Sequence, residues 1–315
     1  MTVFYKNYGP EDKPVLGIGV ITYNRKESLA NCIQSILDSV LEPFDLVVAD
    51  DGSPDETYAY CRSKGIPIVG GVNRGISWNK NRALFSLMSW STCDIIVLIE
   101  DDCFVIDKDW ANVWINATNR YGHINVVHPS TRTALEAGER PKEILAGSDT
   151  AMDPYSCMKI SGMMISSTRD ALNRVGYLDT RFIGYGHEHA EWTSRFRRIG
   201  YGIRRVDDNG KIIKANAMLS FGVKSQDVPS TSIKNTVSHN KLTYDAIKRE
   251  SVYRHPWRSE IERANLIDEI STGLGIYFVD LAEIKDQIHL KAIGAQLRPE
   301  EFIRQCLIDQ VKLTI

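Results

Sequence analysis

The sequence has no apolar run approaching the ~20 residues that carry a helix across a bilayer, so no membrane span is predicted. Its first residues, MTVFYKNYGPEDK, mix charges and lack an apolar stretch ahead of a cleavage site. That argues against a secretory signal and makes the cytoplasm the expected location. Cysteine is sparse and irregular: Cys32, Cys61, Cys93, Cys103, Cys157 and Cys306 form no CxxC pair and no framework. Reduced thiols are expected rather than a disulfide scaffold. Internal repeats and low-complexity tracts are absent too, which excludes a repeat array. What is there is ordinary globular material. The chain has 315 residues, 43% hydrophobic and 25% charged, enough for one large domain or one domain with an appendage. Its net charge of -2 hides an asymmetry: residues 195–264 hold 15 Lys+Arg against 7 Asp+Glu, a local net of +8. Such a segment is either a solvated face or a surface for an anionic acceptor.

Residues 15–21 form a short apolar run that reads as a strand buried on both faces, ending in Thr22-Tyr23-Asn24-Arg25. Leu29, Ile33, Ile36 and Leu37 follow at helical spacing. Leu46-Val47-Val48-Ala49 is a second strand, closed by Asp50-Asp51-Gly52-Ser53. A helix over 55–64, a strand over 66–69 and a helix through Asn81 and Leu84 come next. The most hydrophobic strand, 94–99, ends in Glu100-Asp101-Asp102. This alternation predicts an α/β fold, a doubly wound and mainly parallel sheet. Ligands of such sheets bind beyond the carboxyl ends of the strands, so the three polar strand ends are expected at one rim. After Trp110 the pattern is less regular until a strand near Met164 and helices over 171–175 and 188–198. Trp110, Trp114 and Trp192 read as packing residues, and 221–240 reads as a polar loop. Beyond it the pattern is helical, with a helix start at Arg298-Pro299. The expected division is a catalytic domain over 1–240 and a helical C-terminal region over 241–315, packed on the domain or making a subunit contact.

Glu100-Asp101-Asp102 at a buried strand end offers hard oxygen ligands for Mg2+ or Mn2+, although a solvated acidic turn has the same composition. A divalent cation would neutralise a departing diphosphate. Four motifs occur in order: Gly19-Val20-Ile21-Thr22-Tyr23-Asn24-Arg25, Val48-Ala49-Asp50-Asp51-Gly52-Ser53, Asn73-Arg74-Gly75 with Lys80-Asn81, and Glu100-Asp101-Asp102. Together they resemble the inverting family 2 glycosyltransferases of the GT-A fold, over about residues 15–202.

The resemblance implies a hexosyl- or pentosyltransferase that takes a nucleoside-diphosphate sugar, UDP foremost, with Mn2+ or Mg2+. By it, Thr22 and Asn24 line the nucleoside pocket and Asp51 accepts a hydrogen bond from the base. Lys80, with Arg25 and Arg82 as weaker candidates, stands near the diphosphate. Glu100 or Asp101 meets the ribose, and Asp102 binds the metal. The turn Gly184-Tyr185-Gly186 followed by His187-Glu188-His189 resembles the family's glycine-rich turn and acidic pair, with His189 where Asp is usual. Either Glu188 or His189 is then the base on the acceptor hydroxyl, with Glu188 slightly preferred. His239 sits where relatives bring a histidine onto the metal. The His-Glu-His tract lacks the HExxH spacing of a zinc protease.

The acceptor is expected to be a glycan or protein. The basic segment raises an alternative, a hydroxylated base in DNA, against which stand the overall negative charge and the lack of a nucleic-acid motif. A nucleotidyltransferase would place a Gly-rich basic loop directly after the first strand, where Thr22-Tyr23-Asn24-Arg25 stands instead. A catalytically inactive sugar-nucleotide-binding module is supported by His189 alone.

Overall fold

The computed structural model describes residues 4–9, 11–139, 141–146, 152–206, 209–225 and 235–275. The first half runs β1 (Tyr5–Lys6), β2 (Leu16–Thr22), α1 (Lys26–Ser39), β3 (Phe44–Asp50), α2 (Thr57–Ser63), β4 (Ile68–Gly70), α3 (Ile76–Trp90) and β5 (Ile95–Glu100). There follow β6 (Cys103–Val105), α4 (Trp110–Tyr121), β7 (His123–Val126), α5 (Pro129–Glu136), β8 (Ile144–Ala146), β9 (Tyr155–Cys157), β10 (Met164–Thr168) and α6 (Arg169–Val175). The last described elements are α7 (Glu188–Ile199), β11 (Ile203–Val206), β12 (Ile212–Leu219), β13 (Val223–Ser225), α8 (Asn235–Ile247) and α9 (Glu260–Leu274). Met1–Gly275 is one compact unit. Helix α8 spans the position near 240 where the sequence suggested a boundary. The helix start expected at Arg298-Pro299 and Cys306 lie outside the described residues.

The sheet is mixed and mainly parallel at its centre. β4, β3, β2 and β5 lie parallel, and β10 runs antiparallel between β5 and β7. β12 is parallel to β7. Six strands, β2, β3, β4, β5, β7 and β12, therefore point the same way and end at one rim. Every residue of β2 and β3 is buried, which is why both read as unbroken apolar runs. Leu29, Cys32, Ile33 and Ile36 of α1 close one face, and Trp110 and Trp114 of α4 belong to the same core. Each fully buried Leu, Ile or Val contributes about 1.5–3 kcal/mol, so burial dominates the stability of this layer.

Two stretches differ from the sequence reading. The region after Trp110 is regular, containing α4, β7, α5, β8 and β9 before β10. Its strands are only three or four residues long, and β7 reads His-Ile-Asn-Val because both of its faces are covered. The stretch 221–240 is not simply a loop: it holds β13 and the first turns of α8. Cys32, Cys61, Cys93, Cys103 and Cys157 are free and buried. Among the described residues no helix is long and apolar enough to cross a membrane.

Candidate active site

The polar ends of β2, β3 and β5 are stitched to one another. The Asp51 N–H donates to the Thr22 carbonyl at 3.1 Å, and the Asp101 N–H to the Ile21 carbonyl at 3.0 Å. The Thr22 hydroxyl, itself buried, donates to Asp101 Oδ2 at 2.7 Å. Asp50 holds the turn after β3 by accepting from the Ser53 N–H and hydroxyl. Ser53 Oγ in turn accepts from the Asn24 N–H at 2.6 Å. Asn24 is exposed and has a left-handed φ of 53°, a conformation that asparagine tolerates well. Asp51 and Asp102 thus share one edge of the sheet, as the strand-end argument requires.

Arg25 spans the acidic cluster, with Nη1 3.3 Å from Asp101 Oδ1 and 3.4 Å from Asp102 Oδ2. Burial pushes the Asp101 carboxyl up to about 7 against the pull of Thr22 and Arg25. Burial and then the Glu100 charge push Asp102 up to about 6. Three carboxylates crowded at a dry strand end favour an added cation. The donor set suits a hard one: all oxygen, with the Cys103 thiol 3.8 Å from Asp102 Oδ1. Among the described residues no three His, Cys, Asp or Glu side chains form a closed cage. Mg2+ and Mn2+ at phosphates need none, since they take one or two carboxylates and fill the rest with phosphate and water.

Helix α3 braces this rim with four consecutive buried polar side chains. Asn79 Nδ2 donates to the Ala49 and Thr22 carbonyls at 2.9 and 3.1 Å. Lys80, with no exposed side-chain surface, places Nζ 2.7 Å from Glu100 Oε1 and 2.8 Å from the Gly162 carbonyl. Asn81 exchanges hydrogen bonds with the Leu178 backbone. Arg82 donates to Asp51 Oδ1 at 2.9 Å and to the Val72 carbonyl at 2.8 Å. Asp51 also accepts from the Arg74 and Gly75 N–H groups at 3.0 and 2.9 Å. Each of these groups would cost about 1–3 kcal/mol if buried unpaired, so α3 fits nowhere else. Lys80 therefore serves as the partner of Glu100, and Asp51 is already held by three protein donors.

The second cluster meets the first across Gly162. A Cβ at Gly162 would lie 2.6 Å from His189 Nδ1, so the imidazole rests directly on that backbone, whose carbonyl receives Lys80. His189 Nδ1 is 2.9 Å from Glu188 Oε1, and Glu188 Oε2 accepts the Gly186 N–H at 2.8 Å. Glu188 is 1% exposed at its side chain, His189 17%. Burial opposes ionisation of Glu188, but His189, its hydrogen bond and Lys80 outweigh it and hold the carboxyl down at about 2. His187, at φ 67°, turns the chain into α7 just before this pair. His239 is exposed on α8. Among the described residues no contact joins its ring to the acidic cluster.

The sequence profile described as glycosyl transferase family 2 matches residues 18–176, just over half of the chain. This chain belongs to that family. The glycosyltransferase has no match among curated proteins. Similar solved structures include a mannosyltransferase from Pyrobaculum calidifontis in complex with GDP-Man and Mn2+. It is 16% identical over 90% of this chain and 82% of that one, with a TM-score of 0.49. Glucosyl-3-phosphoglycerate synthase from Mycobacterium tuberculosis, in complex with Mn2+, UDP and glucosyl-3-phosphoglycerate, is 15% identical over 84% and 81%, with a TM-score of 0.43. S. aureus TarS 1-349 is 16% identical over 65% and 58%, with a TM-score of 0.43.

In this glycosyltransferase the Glu188–His189 pair and all of α7, α8 and α9 lie beyond the matched segment. Two residues there escaped the sequence reading. Asn240, buried on α8, donates to the Ile183 and Tyr185 carbonyls at 2.8 and 3.1 Å and accepts the Ile183 N–H. It thereby fixes the turn that ends in Glu188. Glu269 on α9 receives Arg82 Nε at 2.9 Å. Nothing in the local sequence marks either one, because each acts on a segment far away in the chain.

Proposed function

We propose that this glycosyltransferase moves a sugar from a nucleoside diphosphate, UDP foremost, to an acceptor hydroxyl with inversion. The observation that carries this reading is the meeting of two clusters across Gly162. Strand ends rich in carboxylate lie on one side, and a buried Glu–His pair on the other. Inversion needs a base on the far side of the sugar from the departing diphosphate, and that separation suits it.

Asp102 is the residue we assign to a divalent cation, Mn2+ or Mg2+, with Asp101 and Glu100 beside it. Such a cation supplies charge neutralisation at the diphosphate oxygens. Arg25, already at the cluster, adds a fixed positive charge there. We assign the proton acceptor to His189 rather than to Glu188. Both oxygens of Glu188 are occupied, whereas His189 engages Nδ1 with Glu188 and, among the described residues, leaves Nε2 for a hydroxyl. Glu188 then fixes the tautomer and the ring orientation, and stabilises the imidazolium once it forms.

A glycan or a protein side chain is the acceptor we favour. Two arginines of the basic segment turn inward: Arg195 pairs with buried Glu191 at 3.0 Å, and Arg254 lies 3.0 Å from Asp179. What weighs against DNA is the net charge of -2 and the lack of a nucleic-acid motif, since Lys211, Lys214, Lys224, Lys241 and Lys248 of that segment remain exposed. The test is transfer or hydrolysis of labelled UDP-sugars by wild type and Asp102→Asn, with Mn2+ and with a chelator. The chelator and the substitution should each lower the rate at least about 10²-fold, the scale of losing one preorganised charge contact. Full metal-stimulated turnover by D102N would reject the assignment.

A further inference from the structure

Helix α9 begins some way past the family-defining segment, yet one of its side chains reaches under the nucleoside end of the rim. The Arg62 guanidinium, donating to the Gly273 carbonyl at 3.1 Å, ties the end of the helix to α2. From mid-helix, Glu269 points its carboxylate, 11% exposed, at the loop between β4 and α3. Oε2 accepts from Trp78 Nε1 at 2.8 Å and from Arg82 Nε at 2.9 Å. Oε1 lies 3.6 Å from Arg74 Nε, and the Arg74 guanidinium covers the Trp78 ring at 4.6 Å. A Cβ at Gly71 would come within 2.4 Å of Oε1, so a side chain at residue 71 would displace the Glu269 carboxylate.

One carboxylate thus gathers two cations and an indole, and two of these residues reach Asp51: Arg82 by its guanidinium and Arg74 by its backbone N–H. Arg82 is fully buried and faces two acids through different nitrogens: Nη1 toward Asp51 and Nε toward Glu269. In a dry interior the two acids share one charge. Without the negative charge at 269, the guanidinium would bear on Asp51 alone and draw its lone pairs away from any incoming donor. Arg74 would lose its anchor at the same time, and with it the loop that delivers the Arg74 and Gly75 N–H groups to Asp51.

We propose that Glu269 is a positioning residue for the donor nucleoside, holding Arg82 against Asp51 and Arg74 with Trp78 beneath the loop over 71–75. It rests on the reading of Asp51 as a nucleoside contact. It also makes α9 part of the donor site.

The test uses the full chain with E269Q, which keeps the shape and the acceptor oxygen while removing the charge. E269A risks unfolding by stranding Arg82, so it is not the deciding variant. The readouts are UDP affinity by calorimetry with Mn2+, donor KM, kcat at saturation and thermal midpoint. In E269Q, UDP Kd and donor KM should rise together by about tenfold, the scale of one charge-assisted hydrogen bond, with kcat within about twofold. E260Q, at an exposed position on the same helix, should match wild type. Unchanged UDP affinity in E269Q overturns the inference. So does a lowered melting point with KM untouched, which is what a purely structural brace would give. D51N run in parallel separates the two levels. If D51N loses UDP and E269Q does not, only the role of Glu269 falls. If D51N binds UDP like wild type, the nucleoside assignment itself falls.

Discussion

Helix α7, which carries Glu188 and His189, is seated on a histidine that burial keeps neutral well below the usual histidine range. His123 of β7 places Nδ1 2.8 Å from Ser167 Oγ and Nε2 2.9 Å from Thr193 Oγ1. Its ring stacks on Phe196 at 3.9 Å and meets Trp192 edge-on at 5.7 Å. Burial drives its pKa down to about 3, so the folded protein keeps this ring neutral. In the unfolded chain a histidine takes up its proton near about 6.5. Between those two values the unfolded state binds a proton that the folded state refuses, so stability falls as pH falls across that window. At about pH 5 the unfolded histidine is roughly 1.5 units below its pKa, and one unit is worth about 1.4 kcal/mol. After removing the small part already present near neutrality, acidification from about pH 7 to about pH 5 costs about 2 kcal/mol through this ring. His123→Gln keeps polar atoms for Ser167 and Thr193 and has no such titration. Urea unfolding at the two pH values, extrapolated linearly to water, should show wild type losing about 2 kcal/mol more than H123Q. The raised carboxyls of Asp101 and Asp102 shift both proteins alike and drop out of the difference. Equal losses in the two proteins would refute the reasoning and mean that water reaches the ring.

The members of the buried pair separate by substitution. H189Q should lower kcat by about 10²–10⁴-fold, the usual contribution of a positioned base, with E188Q lowering it less. A larger loss in E188Q at saturating donor would return the base to the carboxylate. Lys80→Met leaves Glu100 without its cation beside two further acids and should cost about 3 kcal/mol of stability by thermal or urea unfolding. Adding E100Q should restore at least half of that. No restoration would show that the Gly162 hydrogen bond, not the ion pair, is what Lys80 contributes.

The strands that form the nucleotide half were legible because each is buried on both faces and ends in a turn. Residues 15–21, 46–49 and 94–99 correspond to β2, β3 and β5 with shifts of one or two residues. The rim followed from topology alone. What the pattern hid was polar burial. The run Asn79-Lys80-Asn81-Arg82 has the composition of a solvated helix face, yet all four are buried, because their partners come from β2, β3, β5, the backbone of Gly162 and Leu178, and α9. By the family resemblance Lys80 stands near the diphosphate; in the structure its ammonium also pairs with Glu100. β7 was missed for the same reason. His123 and Asn125 occupy one face and Ile124 and Val126 the other, and the polar face is dry only because Thr193 and Ser161 meet it. Periodicity reports which side chains are apolar. It does not report which polar ones find partners.

That distinction bears on how the two halves of the site are joined. The Lys80 ammonium, the Gly162 carbonyl and the imidazole resting on Gly162 cross between the acidic rim and the Glu–His pair, and the Tyr185 phenol lies within electrostatic reach of Glu188, Glu100, Lys80 and Asp102. Along the outer rim, the Ile76 N–H donates to the Gly184 carbonyl at 3.0 Å, and a Cβ at Gly75 would strike the Gly184 nitrogen at 2.6 Å. Contacts of this kind fix a distance without depending on side-chain volume. The halves can therefore hold their spacing while the side chains lining the acceptor side change freely. Donor-side residues have no such freedom. Asp51, Arg82 and Glu269 share one charge balance, and altering any of them disturbs the other two. In this fold, variation compatible with activity should gather on the segments facing the turn before α7, away from that turn itself and from the carboxyl ends of β2, β3 and β5.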